Sequence, residues 1–169
     1  MYDHDIAEAS QIPLHGPEGF AGMRRAGRLA AEVLDHITGF VRPGITTGEL
    51  DRICEAFIRD QGAVPAPLGY RGYPKATCIS LNHVVCHGIP GDKALVAGDI
   101  LNIDITVILD GWYGDSSRMY VAGDRASVKA AKLIDATYDA LMRGIAVVRP
   151  GATLGDIGHA IQSHVEPMR

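Results

Sequence analysis

Asp99-Ile100-Leu101-Asn102-Ile103-Asp104-Ile105-Thr106-Val107-Ile108-Leu109-Asp110-Gly111-Trp112-Tyr113-Gly114-Asp115-Ser116-Ser117-Arg118-Met119-Tyr120-Val121 carries the clearest structural pattern in the sequence. In its first half Leu101, Ile103, Ile105, Val107 and Leu109 fall on one face of an extended strand. Asn102, Asp104, Thr106 and Ile108 fall on the other. Asp110-Gly111 is the preferred two-residue hairpin turn, so Trp112 to Val121 reads as the returning strand. With the turn centred there, Leu109 faces Trp112, Ile108 faces Tyr113, Thr106 faces Asp115 and Asp104 faces Ser117. Asp104 and Asp115 then share a face as diagonal neighbours, with Cα atoms roughly 7–8 Å apart.

Two carboxylates so placed can converge on one divalent ion, or on two ions about 3.5–4 Å apart with one carboxylate bridging. Hard or borderline metals suit oxygen ligands, and the like charges otherwise repel. Thr106 lies on the same face, where its hydroxyl can orient a carboxylate. The plainer alternative is a solvated strand face with two ordinary aspartates. Asp is disfavoured inside strands, which favours the metal. Against it, two carboxylates fall short of the three or four protein ligands that zinc usually takes.

Outward from the hairpin, Cys78-Ile79-Ser80-Leu81 reads as a short strand, and residues 62–75, rich in Gly and Pro, as an irregular loop. Upstream, Met23, Ala26, Ala30, Val33, Ile37 and Phe40 recur at helical spacing until Pro43-Gly44 ends the run. Thr46 and Glu49 form a capping box for a second helix, whose apolar stripe is Leu50, Ile53, Cys54, Phe57 and Ile58. Downstream, a helix is expected from about Ser127 to Val147 and another, capped, from Thr153. Residues 1–16 read as a flexible N-terminal segment and 17–169 as one unit.

One repeat stands out. Val41-Arg42-Pro43-Gly44-Ile45-Thr46-Thr47-Gly48-Glu49-Leu50 aligns with Val148-Arg149-Pro150-Gly151-Ala152-Thr153-Leu154-Gly155-Asp156-Ile157, six of ten positions being identical. The stripe carries over too, Leu50, Ile53, Cys54 and Ile58 matching Ile157, Ala160, Ile161 and Val165. Common turn chemistry can produce such a match; a duplication explains it as well. In that case the first copy continues through strand and hairpin, whereas the second stops at Arg169.

The 169 residues are 47% hydrophobic and 21% charged with a formal charge of −4, which excludes a disordered tail, a collagen-like fibre or a disulfide scaffold. No basic footprint points to nucleic acid. No apolar run reaches the roughly 18–20 residues of a membrane span. The acidic start, with Asp3, Asp5 and Glu8, does not read as a signal peptide. Cys54, Cys78 and Cys86 include no C-x-x-C pair and read as thiols of a reduced cytosolic chain.

His87, beside Gly88, can donate a proton or bind a substrate, or be simply a loop residue. His83 carries less. Cys86 invites a thiol-nucleophile reading, but no third group orients it. Tyr70, Tyr73 and Cys78 can line an apolar pocket or pack on the core.

These residues resemble a family, the type I methionine aminopeptidases of bacteria. The resemblance lies in Tyr70-Arg71-Gly72-Tyr73-Pro74-Lys75, Cys78-Ile79-Ser80, Asn82-His83-Val84-Val85-Cys86-His87-Gly88-Ile89-Pro90, Asn102-Ile103-Asp104-Ile105-Thr106 and Asp110-Gly111-Trp112-Tyr113-Gly114-Asp115-Ser116-Ser117. Met23 to Ala31 and Gly48-Glu49-Leu50-Asp51 fit as well. The resemblance implies an α/β (α+β) pita-bread fold of two pseudo-symmetric halves around two divalent metal ions (Co, Mn, Fe or Zn). Asp104 would be a terminal ligand of one ion and Asp115 would bridge both. His87 would contact the substrate near the scissile bond, and Tyr70, Tyr73 and Cys78 would receive the methionine side chain. The implied activity is removal of the initiator methionine from nascent polypeptide N-termini, probed near the ribosome by a cytoplasmic enzyme that is usually monomeric.

The family's remaining ligands, a histidine and two glutamates, one of these glutamates also its general base, belong to the second half. None of their motifs occurs here, so no catalytic residue is assigned. The chain is expected to be the N-terminal part of such an enzyme, lacking most of the second half and inactive alone. The alternative is a non-catalytic relative that binds nascent N-termini. A proline-specific peptidase fits the Tyr70-to-Cys78 motif less well.

Overall fold

The computed structural model describes residues 13–168. Of the segment expected to be flexible, 1–12 lie outside the described residues, and 13–16 have no regular structure. Helix α1 (Pro17–Thr38) opens with Pro at its first position, where the missing N–H costs nothing. It buries Ala26, Leu29, Ala30, Val33, Leu34 and Ile37. Met23 and Phe40, expected on that stripe, stay substantially exposed: Met23 lies a turn before the buried run and Phe40 beyond the helix end. Helix α2 (Thr47–Asp60) carries the expected capping box, with the Thr46 hydroxyl accepting from Glu49 N–H and the Glu49 carboxylate accepting from Thr46 N–H.

The sheet is built on strand β3 (Ile100–Leu109). Strand β4 (Trp112–Val121) runs back along one edge in the register that the Asp110-Gly111 turn dictates, Thr106 opposite Asp115 and Asp104 opposite Ser117. Both turn residues have positive φ, 50° and 80°, as the tight hairpin turn requires. On the other edge of β3 sit two short strands: β1 (Val64–Pro65) pairs near its end and β2 (Cys78–Leu81) near its start. The expected loop over 62–75 therefore contains one strand. Two residues, one of them a proline, leave no period-2 signal to read.

Leu101, Ile103, Ile105 and Val107 form the buried face and meet α1 and α2 in one core with Leu50, Cys54 and Ile58. Gly114, on that face, lets α1 approach: a Cβ there would lie 2.0 Å from the Ala26 carbonyl oxygen. Tyr120 donates to the Leu34 carbonyl at 2.7 Å and Arg118 pairs with Asp35, fixing α1 across β4.

Helices α3 (Val128–Ala146, capped by Ser127) and α4 (Leu154–Val165) pack mainly on each other. The repeat is reproduced in local structure. Gly44 and Gly151 have φ of 92° and 89°, and Thr153 with Asp156 forms a second capping box. Yet α4 buries no residue and α3 buries only Ala140 and Gly144. No helix among the described residues is long and apolar enough to cross a membrane.

Candidate active site

The face of the sheet turned away from the helices carries the polar set. Across it Cys78 on β2 pairs with Asp104 on β3, which in turn pairs with Ser117 on β4; the next pair along is Thr106 with Asp115. The Thr106 hydroxyl donates to Asp115 Oδ1 at 3.1 Å, as the strand reading anticipated. Asp104 is half-buried, and burial first, then the Asp115 carboxylate, pushes its carboxyl above the usual range, with His87 pulling the other way. A cation between the two carboxylates would relieve both the desolvation and the repulsion.

A loop forms the roof. Ala66 N–H donates to the Thr106 carbonyl at 2.9 Å, which anchors 66–73 above the carboxylates. A 3₁₀ turn at Tyr70–Gly72 follows, with Arg71 at φ 49° and its guanidinium 5.4 Å from the Tyr70 ring. Tyr73 turns inward. Its hydroxyl lies 3.0 Å from the Thr77 carbonyl and 3.2 Å from the Gly88 carbonyl, and burial pushes its pKa far above the ordinary value. Burial likewise raises the Cys78 thiol.

The segment bearing His87 lies against β2. Ile79 N–H donates to the Gly88 carbonyl at 2.8 Å and Gly88 N–H to the Ser80 hydroxyl at 3.2 Å. Only glycine fits there, because a Cβ would sit 2.2 Å from the Ile79 carbonyl oxygen.

The result is one cavity of about 710 Å³ lined by Tyr70, Tyr73, Cys78, His87, Asp104, Thr106 and Asp115, with Ala66, Arg71, Ile89 and Tyr113 among its other walls. Every residue singled out for substrate or metal from the sequence lines it. His83 and Cys86 do not, and both are exposed. Tyr113 was legible from the hairpin register, being one pair beyond Thr106 and Asp115 on the same face. Asp51 was not: it is buried behind the pocket, where it accepts hydrogen bonds from residues 76 and 77.

The donor set suits a hard or borderline divalent ion. It is partial, since among the described residues no three His, Cys, Asp or Glu side chains gather closely enough to hold an ion. With metal, such a pocket would join a Lewis-acidic end to a largely apolar wall.

Comparison with known proteins gives a consistent answer. Residues 21–169 match the model of metallopeptidase family M24. A methionine aminopeptidase from Rickettsia prowazekii is 61% identical over 155 residues, covering 92% of this chain and 60% of the relative. The crystal structure of the methionine aminopeptidase from that organism superposes with a TM-score of 0.91 at 60% identity, covering 93% of this chain and 63% of that one. An Xaa-Pro dipeptidase from Bacillus anthracis superposes at 0.80 with 20% identity, over 92% of this chain and 42% of its own, and this likeness is one of fold. The architecture is thus pita-bread, and the chain spans about 60% of the length of the curated relatives it matches.

Proposed function

This chain belongs to metallopeptidase family M24, and on that premise we propose that it carries the first part of the active site of a methionine aminopeptidase, which hydrolyses the peptide bond following an N-terminal methionine. The observation that supports the reading best is the convergence in one cavity of Asp104, Asp115, His87 and the apolar wall of Tyr70, Tyr73 and Cys78. In this reading Asp104 and Asp115 would hold divalent metal, the Asp115 Oδ1 being oriented by the Thr106 hydroxyl. The ions, when bound, supply Lewis acidity and an activated water. The recess beside Cys78 takes the unbranched thioether side chain. His87, at the cavity wall, hydrogen-bonds the peptide beside the scissile bond. The remaining ligands and the general base come from outside this chain's carboxylate pair, which alone cannot impose a defined geometry on two ions. The substrates are the N-termini of nascent polypeptides near the ribosome, and the enzyme acts as a cytoplasmic monomer.

The test joins this chain to the portion of the Rickettsia prowazekii relative that it does not cover. With added manganese or cobalt, the folded chimera is expected to release methionine from a Met-Ala-Ser peptide, whereas the 169-residue chain alone releases little or none. Asp115→Ala in the chimera should lower kcat/KM by about 10²–10³-fold, the scale on which loss of an electrostatic stabiliser is felt. A folded chimera that binds Met-peptides without cleaving them would support the non-catalytic reading instead. Unchanged turnover in Asp115→Ala would remove the carboxylate from the chemistry.

A further inference from the structure

We propose that Asp51 is a positioning residue for the pocket, holding its wall in one arrangement through Thr77. Asp51 sits on α2, behind the pocket, and is 2% exposed. Its Oδ1 accepts three hydrogen bonds, from Ala76 N–H at 3.1 Å, Thr77 N–H at 2.9 Å and the Thr77 hydroxyl at 2.8 Å. Ala76 and Thr77 are themselves buried, 1% and 0% exposed, so without Asp51 three buried donors lose their acceptor.

What hangs from Thr77 gives the clamp its meaning. The next residue is Cys78, opposite Asp104 in the sheet. The Thr77 carbonyl accepts from the Tyr73 hydroxyl, which also reaches the Gly88 carbonyl, next to His87. A single carboxylate on a helix is thereby linked to Tyr73, Cys78 and the His87–Gly88 segment, three separate parts of the chain that line the same cavity. A residue needed only for the core would be apolar, because burying a carboxylate among apolar groups is costly unless it is hydrogen-bonded. Here the carboxylate binds backbone that has no strand partner at that point and sets where β2 begins.

This inference rests on the proposed function only for what the pocket receives; the geometry of the wall can be measured without metal or peptide. In the 169-residue chain carrying Cys86→Ser, the two remaining thiols are Cys78 in the wall and Cys54 in the core. The measurement is the rate of iodoacetamide labelling at each, resolved by peptide mass mapping. Asp51→Ala is expected to speed labelling of Cys78 about tenfold while Cys54 stays protected. Asp51→Asn, which removes the charge but keeps an acceptor, is expected to speed it far less, since thiol reactivity follows both thiolate fraction and local exposure. Thr77→Val should speed it several-fold, and Thr77→Ser should restore the parent rate. Equal acceleration at Cys54 would make Asp51 a general stabiliser and overturn the proposal. So would a folded Asp51→Ala with an unchanged Cys78 rate. If Asp51→Ala does not fold, Thr77→Val decides, an unaltered Cys78 rate again overturning it. Failure of peptide hydrolysis in the chimera leaves this outcome untouched.

Discussion

His87 has φ of 52°, in the left-handed region, and leads into Gly88, whose backbone is pressed against β2. Non-glycine residues pay steric energy in that region, His less often avoided there than most. The backbone bonds of Gly88 to Ile79 and Ser80 hold the conformation, so the side chain at 87 is aimed into the cavity by the chain on its C-terminal side. Two variants separate the backbone from the imidazole. His87→Gly is expected to be more stable than His87→Ala by about 1 kcal/mol, because glycine alone adopts positive φ freely. Urea unfolding of both measures the difference. In the chimera both should lose activity alike. If the alanine variant is as stable as the glycine one, the segment does not hold residue 87 in this conformation.

At the level of elements, the two capping boxes are the same chemistry with different consequences. Thr46 starts a helix whose Leu50, Cys54 and Ile58 lie in the core; Thr153 starts one that buries nothing. Thr46→Ala is therefore expected to lower global stability by about 1 kcal/mol, whereas Thr153→Ala should leave the unfolding midpoint of the core nearly unchanged. Denaturation followed by Trp112 fluorescence checks both. Glu49 adds a pH dependence. Its hydrogen bonds from the Thr46 backbone and then its side chain hold its carboxyl below the ordinary range, so its contribution is present above the unfolded-state pKa and is lost as pH falls through the lower folded value. The gap in stability between the parent and Glu49→Ala should accordingly close in acid. A gap that widens there would mean that the charge is not used. These boxes and the hairpin register were legible because each depends on neighbours in sequence: a turn dipeptide sets the phase, and a hydroxyl finds a carboxyl three residues on. Asp51 and β1 were not, since one depends on partners 25 and 26 residues away and the other on two residues lying beside β3.

For the whole molecule, the repeat poses the question of what α3 and α4 pack against. The first copy of the repeated turn leads into α2, which with α1 covers the apolar face of the hairpin sheet. Its second copy leads into α4, and the α3–α4 pair touches little beyond itself, leaving Leu133, Leu141, Met142, Ile145 and Leu154 more than 45% exposed. Stripes that look alike in sequence thus end in different environments, and no reading of the stripe alone could separate them. The energetic consequence is direct. Each fully buried aliphatic side chain contributes roughly 1.5–3 kcal/mol, and α1 and α2 have many where α3 and α4 have almost none. Local stability must therefore divide along the same line, since a segment with few buried contacts opens at low free energy. Amide hydrogen exchange of the 169-residue chain is expected to show α3 and α4 exchanging at least about a hundredfold faster than α1 and β3. In the chimera, where the rest of a pita-bread fold is present, the same amides should become protected while those of β3 change little. Equal protection of all four helices in the isolated chain would mean that the α3–α4 pair is stable by itself, and that its exposed face has no need of a sheet.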